Sequence, residues 1–226
     1  MIPEEVNLDD AGLSISCWDK LDGPARLAVK RSIAQTYEQW MTILYTEIDK
    51  IVVDIQDSAQ HRKAENSTED SLTNAIVLPL NRAGFDVGHE TNTRGHPDIR
   101  VTSQKGYKWL GEAKIYSGGY FNIWKGFLQL TTRYSNGNAN ETHGGLIIYI
   151  YHSNAEKIMN EWRDRLSKTP KNKTRKRLGH IGDGLDLSEC WLRKGLAFFS
   201  KHNHNVSGLP YSVRHFPVLL HYDPKA

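Results

Sequence analysis

The sequence predicts an α/β protein with a mixed central sheet flanked by helices. Three observations support this class: an apolar stripe at helical spacing early in the chain, a hairpin pattern between residues 94 and 115, and a continuous apolar run at residues 144–151. From residue 67 onward the segments follow the order helix, strand, strand, strand, helix, strand. Helices that alternate with strands in this way are expected to cover the faces of one sheet.

The composition favours one elaborated domain. The 226 residues can bury a substantial core, and the contents of 38% hydrophobic and 24% charged residues are typical of a soluble globular chain. The net charge of +3 is too small to indicate a partner. Cys17 and Cys190 are too few for a disulfide framework or a zinc ribbon, which favours a reducing compartment. Because no apolar run approaches the length of a membrane span and the acidic N-terminus lacks signal-peptide character, we expect a cytoplasmic protein with no membrane contact.

Residues 1–62 are predicted to form an irregular arm followed by a long amphipathic helix. The helix begins near Asp22-Gly-Pro24, because proline is tolerated in the first helical turn. Its apolar stripe consists of Leu27, Ile33, Tyr37, Trp40, Leu44, Ile48, Ile51 and Ile55. Such a stripe most often faces the core, and a dimer contact remains the alternative.

A second helix is predicted from an N-cap at Ser67, with Asp70 in the capping-box position, to a stop at Gly84. Helical spacing places Glu69 on the apolar face, where an acid is costly unless it meets a cation. A favourable negative charge at the N-terminus of the helix explains Glu69 equally well. The first strand is predicted at Phe85–His89.

Residues 94–115 are predicted to form two short strands joined by a turn at Gln104–Gly106. Asp98 opens the first strand, and Glu112 and Lys114 end the second. Side chains two residues apart on a strand point to the same face, so Glu112 and Lys114 project together. The hairpin would bring Asp98 close to both.

Two carboxylates and an amine in one place point to metal-assisted chemistry. Carboxylates are hard oxygen ligands that suit Mg²⁺, and a neighbouring lysine can serve an attacking water or stabilise charge on a phosphate. An ordinary hairpin with a solvent-facing Glu-Lys pair is the alternative. The apolar or small neighbours Leu110, Gly111, Ala113 and Ile115 instead favour a strand near the core.

Pro97-Asp98, followed after thirteen residues by Glu112-Ala113-Lys114, resembles the motif of the PD-(D/E)XK nuclease superfamily. The resemblance covers roughly residues 67–151 and implies a restriction-endonuclease-like core there. Residues 1–62 and 152–226 would then be additions within a single nuclease domain. The resemblance also implies that Asp98 and Glu112 bind catalytic Mg²⁺, for which Mn²⁺ can substitute, and that Lys114 serves the attacking water.

Three further residues match the superfamily by position. Its members often carry a Glu near the metal on the helix before the hairpin, and Glu69 is the matching residue, which makes it a candidate metal ligand. A helix is predicted at Phe121–Tyr134, and its Gln129 and Tyr134 resemble a Gln and a Tyr that superfamily members place near the active site and the DNA backbone. For Gln129, an ordinary surface position is an equally good interpretation.

Beyond the core, the sequence predicts a helix at about residues 154–166 and strands at Leu196–Phe199 and Val213–Tyr222. A basic run without acids lies at residues 168–177. It is either a solvated loop or a phosphate-binding loop that contacts nucleic acid through Lys173, Arg175 and Lys176. The segment 201–205 contains two histidines and superficially suggests an HNH nuclease or a zinc pair, but the surrounding pattern is missing and a plain loop is favoured.

Together these patterns predict a metal-dependent endonuclease that hydrolyses phosphodiester bonds in nucleic acid, with DNA favoured over RNA, in restriction, defence or repair. Because each chain would carry one site, cutting both strands of a duplex favours a homodimer. A catalytically inactive nucleic-acid-binding module that retained the fold is the alternative. A zinc-dependent hydrolase built on histidines is a third interpretation.

Overall fold

A seven-stranded mixed sheet forms the centre of the molecule, and helices pack on both of its faces. The computed structural model describes residues 20–88, 96–167, 185–190 and 196–225. The predicted α/β class, with a mixed sheet between helices, is confirmed. Across these ranges, none of the helices combines the length and the apolar character that spanning a membrane requires.

The predicted long N-terminal helix is wrong, because two helices occupy this region: α1 (Gly23–Ile33) and α2 (Tyr37–Asp57). The break occurs because Thr36 starts a new helix. Its hydroxyl accepts a hydrogen bond from the amide of Gln39, and the Gln39 side chain accepts one from the amide of Thr36. The apolar stripe of α2 is buried inside the chain, which confirms the core interpretation and removes these side chains as a dimer contact. Its buried members include Tyr37, Trp40, Leu44, Ile48, Ile51 and Ile55.

Helix α3 (Glu69–Arg82) follows two short 3₁₀ turns. Its N-cap is Thr68, whose hydroxyl accepts a hydrogen bond from the amide of Ser71, while Ser71 Oγ accepts one from the amide of Thr68. The predicted capping pair Ser67 and Asp70 is therefore wrong by one position. The physical consequence is that the first two helical residues are both acids.

The predicted hairpin is confirmed. Strands β1 (Asp86–Gly88), β2 (Ile99–Thr102) and β3 (Lys108–Tyr116) pair in antiparallel order. The turn between β2 and β3 contains Gly106 at φ +78°, a left-handed conformation that glycine adopts without steric cost. Asp98 directly precedes β2.

A helical crossover connects β3 to β4 (His143–Ile150), which lies parallel to β3. The crossover consists of α4 (Phe121–Gln129) and a π-helical turn at Leu130–Tyr134. The predicted helix and the predicted buried strand are thereby confirmed. Helix α5 (Ala155–Ser167) follows β4, as predicted.

The C-terminal strands extend the sheet beyond β4. Strands β5 (Asp186–Glu189), β6 (Phe198–Asn203) and β7 (Pro210–Leu219) complete the order β1-β2-β3-β4-β7-β6-β5. Strand β7 lies parallel to β4, and β6 lies antiparallel to both β5 and β7. The two predicted C-terminal strands exist, but β6 continues past Phe199 and β7 begins before Val213.

The loop predicted for the two histidines is wrong for His202, whereas His204 does lie outside the strands. His202 lies within β6, whose alternating burial turns its side chain inward, and His204 follows the strand and is also buried. The basic run at residues 168–177 lies outside the described residues. Nothing is therefore assigned to the predicted contacts of Lys173, Arg175 and Lys176.

Alternation along β3 sends its side chains into two different layers. Trp109 packs in the core shared with α2 and α3, whereas Leu110 packs in the core shared with α4 and α5. Glu112 and Lys114 have the same parity as Leu110. Both therefore point toward α4.

Candidate active site

Three carboxylates meet one ammonium on the α4 side of β3. Lys114 Nζ lies 2.9 Å from Glu112 Oε1. The same ammonium lies 3.3 Å from Glu69 Oε2 and 3.7 Å from Asp98 Oδ2. We call these four residues the acid–lysine cluster. All four are residues that the sequence and the resemblance singled out, and the structure brings them together.

Asp98 and Glu69 are held in place by the backbone of β3. Pairing between β2 and β3 begins at Ile99, so the amides further along that edge of β3 need other partners. Asp98 Oδ2 accepts a hydrogen bond from the amide of Ala113 at 2.8 Å. Glu69 Oε1 accepts one from the amide of Ile115 at 3.0 Å. The two side chains satisfy the amides that β2 leaves unpaired, and this fixes both carboxylates beside the lysine.

Helix α4 approaches the cluster at a glycine that sequence reasoning missed. A Cβ at Gly126 would lie 2.9 Å from Lys114 Cγ and 3.2 Å from Glu112 Cγ, both closer than ordinary contact. Any side chain here would displace the two residues. The available signal was a glycine inside an amphipathic helix, which costs helix stability and so indicates a packing or functional requirement.

The electrostatics of the cluster follow from one cation shared among three acids. Burial raises the pKa of the Glu112 carboxyl to about 7, and the negative charge of Asp98 adds to this effect. Burial alone would lower the pKa of Lys114, but the three carboxylates outweigh it and hold that pKa above its usual value. The cationic form of Lys114 is thus stabilised, whereas the negative charge of the buried Glu112 is only partly neutralised.

Glu112 also has an unpartnered oxygen. The residue is 2% exposed, and its Oε2 is buried without a hydrogen-bond partner. Such an oxygen is costly in a protein interior unless it meets a cation or a donor.

The donor chemistry of the cluster fits a hard divalent cation. In the part of the chain that the structure describes, no three His, Cys, Asp or Glu side chains are arranged to hold a metal directly, and the Lys114 ammonium stands among the three acids. Asp98, Glu112 and Glu69 nevertheless supply the carboxylate oxygens that Mg²⁺ and Mn²⁺ take as ligands. An ion bound at this cluster would take its ligands from these three residues.

Gln129 and Tyr134 lie at the border of the cluster. The π-helical turn brings these residues, five apart in sequence, into contact, and Gln129 Nε2 donates a hydrogen bond to Tyr134 Oη at 3.1 Å. Burial raises the pKa of Tyr134, with a second contribution from the negative charge of Glu112. Tyr134 is therefore within electrostatic reach of the cluster.

The buried histidines belong to an aromatic core. His215 accepts a hydrogen bond from Trp162 Nε1 at 3.0 Å. His202 and His204 both pack on Tyr211, with ring centroids 5.7 and 5.4 Å away. Among the described residues these histidines have no third metal-ligating side chain beside them, so the zinc interpretation gains no support.

Comparison with protein-family models, with curated proteins and with solved structures gives no match to this chain. Any functional assignment therefore rests on the acid–lysine cluster and on the order of the elements that carry it.

Proposed function

We propose that this protein is a Mg²⁺-dependent nuclease with a restriction-endonuclease-like core over residues 67–151. The observation that carries the proposal is the acid–lysine cluster, in which carboxylates from α3, from the start of β2 and from β3 surround one ammonium. The element order α3, β1, β2, β3, α4, β4 supports it, because the resemblance implies this order. A fold by itself does not determine an activity, so the cluster has the greater weight.

Each residue of the cluster has a definable task. Glu112 is the principal candidate ligand, because it is the most buried acid and has an unpartnered oxygen. Asp98 and Glu69 complete the ligand set, held in orientation by the β3 amides. Bound Mg²⁺ would supply positive charge to the phosphate and lower the pKa of a water. The three carboxylates hold the pKa of Lys114 above its usual value, so its ammonium is suited to orienting the water or stabilising phosphate charge.

DNA is the proposed substrate, and a homodimer is the proposed assembly for cutting both strands of a duplex. One chain carries one acid–lysine cluster, so a two-fold pair of chains would present one cluster to each strand. The apolar stripe of α2 is buried and does not serve as the contact. Helix α1, which has no buried residue, and the C-terminal strands are the remaining candidates. Gln129 and Tyr134 would line the path of the substrate strand beside the cluster.

A catalytically inactive nucleic-acid-binding module is the second candidate, and one observation favours it. Asp98 and Glu69 each accept a hydrogen bond from a β3 amide, which is a structural task that needs no metal. In that case the acids would serve to satisfy the unpaired amides of β3, and Lys114 would neutralise their negative charge.

Incubation of the purified protein with plasmid DNA, linear duplex, single-stranded DNA and RNA separates the two candidates. The nuclease should cleave at least one substrate in Mg²⁺ or Mn²⁺ and none in excess chelator. Cleavage that survives the chelator would contradict metal-dependent chemistry. Binding without cleavage under every divalent metal would favour the inactive module.

A further inference from the structure

The most exposed large apolar side chain on the described residues stands at the start of α4. Phe121 is 77% exposed. The preceding Tyr120 is buried, donates a hydrogen bond to the carbonyl of Ile158 at 3.0 Å, lies 3.2 Å from Glu161 Oε2 and stacks on Trp162 with ring centroids 6.2 Å apart. The backbone at Phe121 is thus anchored while its ring projects into solvent. A single exposed apolar side chain is ordinary, so the surroundings of Phe121 decide what it means.

Phe121 begins a row of side chains that leads to the acid–lysine cluster. Lys125 and Gln129 follow at intervals of four residues, each turned by about 40° from the one before. Gly126, which packs on the cluster, is adjacent to Lys125 and marks the face that touches it. Phe121 and Gly126 are separated along the helix axis by about 7.5 Å, at about 1.5 Å per residue. Five residues turn Phe121 by about 140° around the helix from Gly126, so its ring stands on the solvent side of α4, and the row turns from there toward the cluster.

The charge along this segment suits a polyanion. From Ala113 to Asn140 the chain carries three basic residues, Lys114, Lys125 and Arg133, and no acidic residue. Lys125 and Arg133 are both exposed. Cations that contact phosphates, combined with an aromatic ring on which a base stacks, are the features that bind single strands. In an intact duplex the bases are stacked on one another, so an exposed ring on the protein surface cannot cover a base face without opening the stack.

We propose that Phe121 stacks on an unpaired base of the strand whose phosphodiester lies at the acid–lysine cluster. This inference rests on the proposed function and narrows it: the substrate is a single strand, or a duplex that is opened locally beside the cleaved bond. A strand that reaches both the ring and the cluster passes Lys125, whose exposed ammonium is placed to contact one of its phosphates.

Binding measured without cleavage tests the inference. In excess chelator, fluorescence anisotropy at fixed salt compares a labelled single-stranded oligonucleotide with the matching duplex. Phe121→Ala should weaken binding of the single strand by about five- to 150-fold, the range for loss of one base–aromatic stack, and should leave duplex binding unchanged within about twofold. Phe121→Trp should retain single-strand binding. Leu78→Ala is the matched control, because it removes another exposed apolar side chain, 55% exposed on α3, and should change neither.

Each outcome either supports or overturns the stacking inference. Unchanged single-strand binding by Phe121→Ala, or an equal loss for single strand and duplex, overturns it. Loss of binding by Phe121→Trp as severe as that by Phe121→Ala also overturns it, because an aromatic ring is present in only one of them. If the wild-type protein cleaves nucleic acid in Mg²⁺ but the Phe121 variants do not bind as expected, only the stacking inference is overturned. If the wild-type protein neither binds nor cleaves any DNA or RNA, the proposed function falls as well.

Discussion

Glu112 and Glu141 are both buried glutamates, yet their carboxylates are in opposite situations. Glu141 accepts a hydrogen bond from the amide of Asn136 at 2.8 Å and forms an ion pair with Lys108. Glu112 has Lys114 at one oxygen and no hydrogen-bond partner at the other. The hydrogen bond and ion pair of Glu141 account for its burial, because they hold the loop at Asn136 in place. A buried carboxylate with an unpartnered oxygen lowers the stability of the fold, and binding of a cation to that oxygen would explain its presence.

The neighbours Glu69 and Asp70 make a matched pair at the residue scale. Both are acids in the first turn of α3, but only Glu69 contacts Lys114 and the β3 backbone, whereas Asp70 is exposed. Glu69→Gln should lower the cleavage rate about ten- to a hundredfold, with partial recovery at high Mg²⁺, because it removes one charge from the ligand set. Asp70→Asn should leave the rate unchanged and cost about 0.3–1 kcal/mol of stability, since it removes a charge that complements the helix dipole.

Cleavage rate and melting temperature measured for both variants check this contrast. If Glu69→Gln and Asp70→Asn have equal, mild effects on the rate, Glu69 only complements the helix dipole. The cluster would then consist of Asp98, Glu112 and Lys114.

Gly126 offers a second test at the residue scale. Gly126→Ala places a Cβ against Lys114 and Glu112, so the cleavage rate should fall about ten- to a hundredfold through misplacement of these groups. The fold should be kept, because alanine favours the helix by about 1 kcal/mol over glycine. Gly23→Ala in α1 is the control, because its Cβ meets nothing within 4 Å. A normal rate for Gly126→Ala in a folded protein would show that the close approach of α4 does not matter for activity.

At the scale of elements, the cap of α3 determines where its first acids stand. Thr68→Ala removes the hydroxyl that accepts from the amide of Ser71, which should cost about 1 kcal/mol. Ser67→Ala should cost less than about 0.5 kcal/mol, because its side chain does not cap the helix. The urea midpoints of the two variants measure the difference. A larger loss for Ser67→Ala would contradict the observed cap.

The errors of element prediction have local causes. Ser67 and Thr68 are adjacent, both can cap a helix, and only backbone geometry decides which one does. The capping box at Thr36 and Gln39 is visible in the sequence, but the apolar stripe continues across it with an uninterrupted helical period. In both places the chain offers two local solutions, and tertiary packing selects one.

The hairpin and its cluster were predictable because strand alternation is a short-range rule. Asp98, Glu112 and Lys114 follow from a turn and a two-residue period, and Glu69 follows from a helical period. The approach of Gly126 and the unpartnered oxygen of Glu112 depend on packing between elements distant in sequence, so no local pattern reports them. His202 was misassigned because a short polar run conceals a strand whose alternate side chains are buried.

At the scale of the whole molecule, buried histidines should make the fold sensitive to acid. Burial lowers the pKa of His143 and His202 to about 4 and that of His215 to about 3, against about 6.5 in an unfolded chain. The unfolded state therefore binds more protons between about pH 6.5 and 4. The free energy of unfolding should fall as the pH drops through this window, by at most about 1.4 kcal/mol per pH unit for each histidine.

Glu112 opposes this trend, because its folded-state pKa is raised from 4.5 to about 7 and its protonation favours the folded state as the pH falls. One acid against three histidines leaves a net loss of stability. Urea midpoints from pH 7 to pH 4.5 check this expectation. His202→Phe should reduce the drop, whereas His61→Phe, at an exposed position, should not. A midpoint that does not change with pH, or an identical drop in wild type and His202→Phe, would contradict the account.

The central claim is that Glu112 is a ligand in a hydrolytic site rather than a structural acid. Its most direct test is the single-turnover cleavage rate in saturating Mg²⁺ for the wild type, Glu112→Gln and Glu141→Gln, each corrected for its folded fraction by circular dichroism. Both variants neutralise a buried glutamate that pairs with one lysine. Glu112→Gln should lose at least about a hundredfold in rate, and Glu141→Gln should stay within about threefold of the wild type. Equal rates for the two variants, or a wild-type rate for Glu112→Gln, would contradict the claim.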